Sequence, residues 1–268
     1  MTIPAVCSKF QTDIANLEAQ IKKIQSSPGF IQGPKDPHPG RPDPESLAEV
    51  KDLEKKIAAD WSAFEACLLK NVKPFPVKVT IGSISCVTGT SEIGADEPYV
   101  IVTACDLSPV LPGIECTLYG PLSMSSNETK NPAGKPFWFI DNTTGKIITD
   151  PAKVIFIVSF MENDDGSPAA ARSLVKGATA VSMAGSNALP RAQRVQKLMA
   201  DIDSTLAIPT GFPNFDDQID VSKELALTKL DLILPILGPH TVSLKFSGDG
   251  QFIVNFLITE AAEALQPI

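Results

Sequence analysis

Three loops of this sequence concentrate carboxylates beside apolar runs. The first holds Glu92, Asp96 and Glu97 and leads into Pro98-Tyr99-Val100. The second, Glu162-Asn163-Asp164-Asp165-Gly166, follows the apolar run Val154 to Phe160. The third is Asn214-Phe215-Asp216-Asp217-Gln218-Ile219. Hard oxygen donors on loops are what calcium requires, about six to eight of them at ~2.3–2.6 Å. Glu97, Glu162, Asp164, Asp165, Asp216 and Asp217 are therefore candidate metal ligands, provided that the three loops converge. Affinity is expected at the weak end, on the order of 10⁻⁴–10⁻³ M, because a full set of Asp ligands is lacking. The same residue types also make plain solvated turns, since Asp and Asn hydrogen-bond their own backbone. Acid–base chemistry by a pair such as Asp164 and Asp216 is a further option, but on a glycosidic bond it needs a cleft. Two Trp and two Tyr leave little for a sugar platform.

Other site chemistry has no positive support. His38 lies in a Pro-rich loop and His240 follows the turn Gly238-Pro239, so a zinc site would have to join distant loops without paired Cys spacing. The chain has no G-x-S-x-G elbow, no phosphate-binding P-loop and no G-x-G-x-x-G opening a helix. A net charge of -8 and a pI near 4.9 repel a phosphate backbone, which excludes nucleic acid as the natural partner. Hydrophobic residues at 43% and a mean hydropathy of +0.08 are ordinary for a globular chain. No run of eighteen apolar residues and no secretory start is visible, so the expectation is no cleavable signal peptide, no transmembrane helix, and a cytoplasmic or non-classically exported protein.

The elements that must position the acids follow from periodicity. Phe10, Ile14, Leu17, Ile21 and Ile24 form one helical stripe, and Leu47, Val50, Ile57, Trp61, Phe64 and Leu68 form a second, with breakers from Gly29 to Pro44 between them. Two narrow stripes joined by a loop predict an antiparallel helical hairpin over residues 1–72, serving as a partner arm or as a lid. From Pro74 the period becomes two. Strands are expected around Val77–Ile81, Tyr99–Ala104, Glu115–Tyr119, Phe137–Ile140, Val154–Phe160 and Leu225–Leu234. Two more, over Val242–Phe246 and Phe252–Ile258, flank the turn Ser247-Gly248-Asp249-Gly250. The fold class is mainly β: an antiparallel β-sandwich over 73–268 with a helical insertion at about 168–207. The first inserted helix is rich in Ala, Gly, Ser and Val, which fits close packing on a sheet and, as an alternative, membrane insertion.

Five Cys leave at least one unpaired within a monomer. A hairpin that turns near residue 36 sets Cys7 opposite about residue 65, close enough for Cys7 and Cys67 to meet, and Cys105 and Cys116 flank a short loop. Two bridges, one bridge and five reduced thiols all remain open. A Cys7–Cys67 bridge would place the protein in an oxidising compartment.

Glu97-Pro98-Tyr99-Val100 resembles the Ser-Asp-Pro-Tyr-Val signature of the synaptotagmin-type calcium- and phospholipid-binding sandwich, the C-two domain. In that family a strand then ends in an Asp-x-Asp loop, which Glu162, Asp164 and Asp165 resemble, while Asp216-Asp217-Gln218-Ile219 is similar to the closing Asp-x-Ile-Gly element. Glu97 stands where the signature has Asp, and the helical pair is spliced between the two later motifs. The resemblance spans roughly Val77 to Ile258. It implies a non-enzymatic module whose acidic rim binds calcium and, through it, an anionic membrane surface or a protein partner. The competing expectations are a structural or interaction protein without metal, a membrane-damaging toxin-like protein using the inserted helices, and a hydrolase.

Overall fold

The three-and-four spacing of the first seventy residues yields two long helices, and the chain beyond Pro74 forms eight strands among the described residues, in units spanning Met1–Lys73 and Pro74–Ile268. The computed structural model describes residues 3–31, 41–90, 96–108, 113–132, 137–138, 147–164, 166–207 and 216–261.

In the first unit, α1 (Ala5–Gln25) and α2 (Pro44–Asn71) bury Cys7, Ile14, Val50, Leu53, Phe64 and Leu68. Asp43 caps α2: its Oδ2 accepts from the Ser46 backbone N–H at 2.9 Å, with Pro44 in the first turn. Two helices alone enclose little, so Phe10, Leu17 and Ile57 remain half-buried, and Trp61 sits at the seam edge against Phe64. A disulfide between Cys7 and Cys67, with Cα atoms 5.8 Å apart, closes the open end of the hairpin. Cys86, Cys105 and Cys116 are free thiols.

The second unit is a sandwich of two four-stranded antiparallel sheets. Strands β1 (Val77–Thr88), β4 (Thr129–Lys130), β7 (His240–Phe246) and β8 (Gln251–Glu260) form one sheet in the order β4-β1-β8-β7. Strands β2 (Pro98–Asp106), β3 (Gly113–Tyr119), β5 (Val154–Glu162) and β6 (Gln218–Glu224) form the other in the order β3-β2-β5-β6. Their facing sides meet in a Phe-rich core. Phe137 stands edge-on to Phe156 and Phe256 at 5.3 and 5.8 Å, and Phe160 packs on Phe246 and Phe252 at 5.1 and 4.9 Å.

The second sheet is buried on both faces, which is why β2 and β5 read as nearly continuous apolar runs. Its outer face is covered by α3 (Pro168–Gly185) and α4 (Arg191–Leu206), which lie between β5 and β6 in the chain. Tyr99, Ile101, Ile155, Ile157 and Met161 meet Ala171, Val175, Met183, Val195, Leu198 and Ile202 in a second core. The small residues of α3 thus serve, on its inner side, to bring helix and sheet close together.

Two strand expectations are corrected. Leu225–Leu234 is not a strand: turns and a short 3-10 turn (Leu234–Leu237) occupy this stretch, and β6 lies just before it. Thr228 decides this locally, because its N–H and hydroxyl both donate to Asp231 Oδ2 at 2.7 Å and bend the chain. The strand itself was hidden by polar residues, since buried Ser222 meets Ser159 hydroxyl to hydroxyl at 2.7 Å instead of contributing an apolar side chain. Phe137 and Trp138 belong to the core but lie in a bend, and the remainder of the expected Phe137–Ile140 strand falls outside the described residues. Gly248 in the β7–β8 turn abuts β6 so closely that a Cβ there would lie 1.9 Å from the Ile219 carbonyl oxygen.

Candidate functional site: the acidic end of the sandwich

Register brings the three acidic loops to one end of the second sheet. Pro98, which opens β2, pairs with Glu162 at the close of β5, and Met161 pairs with Gln218, which opens β6. Backbone bonds then tie the loops together: Glu162 N–H donates to Asp217 O at 2.8 Å and Asn163 N–H to Glu97 O at 3.1 Å.

The carboxylates at this end are largely taken up by protein donors. Asp216, 4% exposed, accepts from the Tyr99 hydroxyl at 2.8 Å through Oδ2, and from the Gly166 and Asp164 N–H groups at 2.9 and 3.3 Å through Oδ1. Those two N–H groups start the helical insertion and Asp216 ends it, so one carboxylate clamps the neck of the insertion to the sheet. Burial, and then the hydrogen bond to Asp216, push the Tyr99 phenol far above its ordinary range, which keeps it a donor. Glu97 accepts from Asn163 Nδ2 at 3.0 Å and is otherwise at the exposed surface, as is Asp217. Glu162 is buried, with the Thr90 hydroxyl 3.3 Å from its Oε1, and Glu162 and Asp164 make further contacts besides. Asp165 lies outside the described residues.

Sequence reasoning passed over Asp96, which is as buried as Glu162. Its carboxylate accepts from the Thr90 hydroxyl at 2.8 Å, from the Thr90 N–H at 3.2 Å, and from Cys86 Sγ at 3.8 Å. Gly89 makes this possible: a Cβ there would stand 2.7 Å from Asp96 Oδ2. The signal was the small pair Gly89-Thr90 six to seven residues before an acid at a strand start, the pattern of a side chain closing a loop.

Among the described residues, no three His, Cys, Asp or Glu side chains come together closely enough to hold a metal ion. Both oxygens of Asp216 already accept from protein donors, Oδ1 from two N–H groups and Oδ2 from the Tyr99 hydroxyl. The Asp164–Asp216 pair imagined for hydrolysis is likewise a backbone-to-carboxylate contact. At the opposite end of the sheet, a cavity of about 270 Å³ is lined by Asp106, Ser108, Trp138, Asp150 and Lys153 among others. Its two carboxylates cap their own loops, Asp106 through Ser108 N–H at 2.9 Å and Asp150 through Ala152 N–H at 3.0 Å. His240 Nε2 lies 2.9 Å from Asp231 Oδ1, on the same Asp that bends the Thr228 turn, and His38 lies outside the described residues.

No family model matches the chain, and no curated protein matches it. Two solved structures are similar to it. One is the C-two A domain of plant Extended Synaptotagmin 1, at 9% identity and a TM-score of 0.28, covering 71% of this chain and 98% of that one. The other is human GIVD cytosolic phospholipase A2 in complex with methyl gamma-linolenyl fluorophosphonate, at 14% identity and a TM-score of 0.27. There the match covers 70% of this chain and 17% of that chain.

Proposed function

We propose that this chain is a non-catalytic docking module that meets an anionic membrane surface with its helical layer, without requiring calcium at the acidic end. The observation that carries this reading is charge segregation. Residues 166–200 contain Arg172, Lys176, Arg191, Arg194 and Lys197 and no Asp or Glu, in a chain of net charge -8. Each cation of α4 already has a protein partner: Arg191 pairs with Glu224 at 2.7 Å, Lys197 with Asp201 at 2.7 Å on the helix surface, and Arg194 donates to the Asn187 carbonyl at 2.7 Å. Arg172 and Lys176 on α3 are exposed. Surface charges more than about 8–10 Å apart are screened from each other at physiological salt, so a local basic face attracts anionic lipid even on an acidic molecule. No helix among the described residues is long and apolar enough to cross a membrane.

The test is co-sedimentation with vesicles of phosphatidylcholine, alone or mixed with phosphatidylserine, in chelator and in millimolar calcium. Binding to the mixed vesicles in chelator, weakened by added salt, is the expected result. Binding that appears only with calcium would return the rim acids to the centre of the function. The hairpin supports a second reading as a partner arm, because its seam leaves Phe10, Leu17 and Ile57 half-buried and Trp61 exposed. Capture of a helical peptide lost on changing Trp61 would favour it.

A further inference from the structure

We infer that β3 is an open docking edge that takes up an acidic, extended segment of a partner protein as an added antiparallel strand. This goes beyond the docking reading above and does not depend on it.

Strand alternation fixes where the backbone groups of β3 point. Asn163 N–H donates to Glu97 O and Leu107 N–H to Lys153 O, so odd-numbered residues of β2 turn their backbone groups to β5. Val100, Val102 and Ala104 therefore turn theirs to β3, where they pair with Tyr119, Thr117 and Glu115. The residues between, Ile114, Cys116 and Leu118, present their N–H and C=O groups on the outer side of β3. There they meet no backbone partner among the described residues. The register with β2 runs unbroken from Gly113 to Tyr119, so no bulge bends this edge away.

The other edges of the sandwich are blunted. β4 has only 2 residues. β6 carries register shifts, and it is tied to β7: Lys223 Nζ donates to Lys245 O, and Asp220 accepts from Ser247 N–H at 2.8 Å. A long, regular edge left bare is a template for strand addition.

Charge selects the occupant. The side chains of Ile114, Cys116 and Leu118 are half-buried on the face that α3 covers. Burial pushes the Cys116 thiol up, and the Thr103 hydroxyl, Lys176 and Arg172 act against it, so both exposed cations stand beside the middle of the edge. Glu115 alternates to the other face and offsets one of the two charges. In an antiparallel addition, the incoming residues opposite Ile114, Cys116 and Leu118 exchange backbone bonds with them and share their face. Carboxylates at those alternate positions then lie under Arg172 and Lys176. A second copy of β3 would instead bring two more cations to the same place.

The experiment is fluorescence anisotropy of the full chain with a labelled peptide alternating Glu and Thr, matched to the 7 residues of β3. Three companions carry Lys for Glu, N-methyl groups on the Glu residues, or N-methyl groups on the Thr residues. The acidic peptide should bind, and the Lys peptide about tenfold or more weaker. Methylation at Glu removes the N–H groups aimed at β3 and should also weaken binding about tenfold or more, whereas methylation at Thr should be tolerated. R172Q/K176Q should weaken the acidic peptide about fivefold and reduce its salt dependence. Cys116→Pro removes one outward N–H without touching the ladder to β2, and it should weaken binding as well. If that variant does not fold, the methylated peptides decide the matter on the wild-type chain. No binding of the acidic peptide at millimolar concentration overturns the inference, as does equal binding of both methylated peptides. If R172Q/K176Q loses binding to phosphatidylserine vesicles and keeps that of the peptide, the cations serve lipid and the inference falls.

Discussion

Asp216 shows how one side chain can look like a metal ligand and act as a structural acceptor. It takes hydrogen bonds from Tyr99, Asp164 and Gly166 at the point where the helical insertion leaves and rejoins the sheet. A self-repelling calcium rim would gain stability on losing an acid, whereas a clamp must lose it. Asp216→Ala is expected to cost about 2–3 kcal/mol, since it strands a buried phenol and two N–H groups, and Tyr99→Phe about 1 kcal/mol. Urea denaturation measures both, and millimolar calcium is expected to leave the wild-type melt unchanged. A calcium-dependent rise in melting temperature that Asp217→Asn abolishes would restore the metal reading. The thiols give a second test at this scale. Burial, with Cys116 as a lesser contributor, pushes Cys105 up to about 12, and burial together with Asp96 pushes Cys86 up to about 11, from an ordinary 9.0. Above the ordinary value the unfolded chain releases a proton that the fold retains, so stability falls as pH rises. It should be flat in this respect below pH 9 and then decline by about 1.4 kcal/mol per pH unit for a thiol such as Cys105. Denaturation series at neutral and alkaline pH, with Cys105→Ala flattening the slope, check it.

Each element shows local preference and tertiary demand meeting or parting. In α2, the Asp43 cap, Pro44 in the first turn and Lys70 in the last agree with the apolar stripe, and the helix forms over 28 residues. The hairpin it makes with α1 encloses only a small core, so the Cys7–Cys67 bridge carries unusual weight. Closing a loop of 60 residues removes chain entropy from the unfolded state worth about 4 kcal/mol in the loop-closure model. Replacing both Cys by Ser is expected to lower hydrogen-exchange protection in α1 and α2 and to leave β2 and β5 as protected as before. Equal loss of protection in the sandwich strands would show that the two units unfold together. β6 parts from its local signals, as an edge strand that buries a serine, exposes Val221 and is held by α4, where Asp203 Oδ1 accepts from Ser222 N–H at 2.9 Å and Gln218 Nε2 at 2.7 Å.

For the whole molecule, the consequential feature is separation of roles. Unit Pro74–Ile268 has a Phe-rich core between its sheets and a second core under its helices, so it is expected to fold without unit Met1–Lys73. Cleavage after exposed Lys70, in the last turn of α2, is expected to leave a sandwich fragment that melts cooperatively near the temperature of the intact chain. Calorimetry of the purified fragment decides this, and a fragment without a transition would make the hairpin part of the folding unit. Charge is separated as well. Acids gather where β2, β5 and β6 meet, and the stretch 166–200 has none. Net charge therefore says little about which face meets an anionic partner, because screening makes the local face the relevant quantity.

The sequence by itself determined whatever depends on spacing along the chain. Period 3.6 before Pro74 and period 2 after it delimit hairpin and sandwich, and Pro168 and Pro190 mark where the inserted helices begin. The hairpin geometry was enough to place Cys7 near Cys67, because two antiparallel helices fix which residues face each other. That the three acidic loops stand at strand ends was also legible, but their shared end of the sheet comes from the pairing of Pro98 with Glu162 and of Met161 with Gln218. What those acids do was decided only by the tertiary structure. Whether a carboxylate binds an ion or accepts from the backbone depends on which N–H and O–H groups surround it in space, and the phenol that occupies Asp216 comes from 117 residues away. The same holds for α3. Its composition allowed tight packing or membrane contact, and the fold makes it two-sided: Val175 and Thr179 pack on the sheet, while Leu174 and Val181 are left at the surface. Periodicity could not separate these sides, because small residues occur all around the helix, and only the sheet beneath fixes which of them face inward.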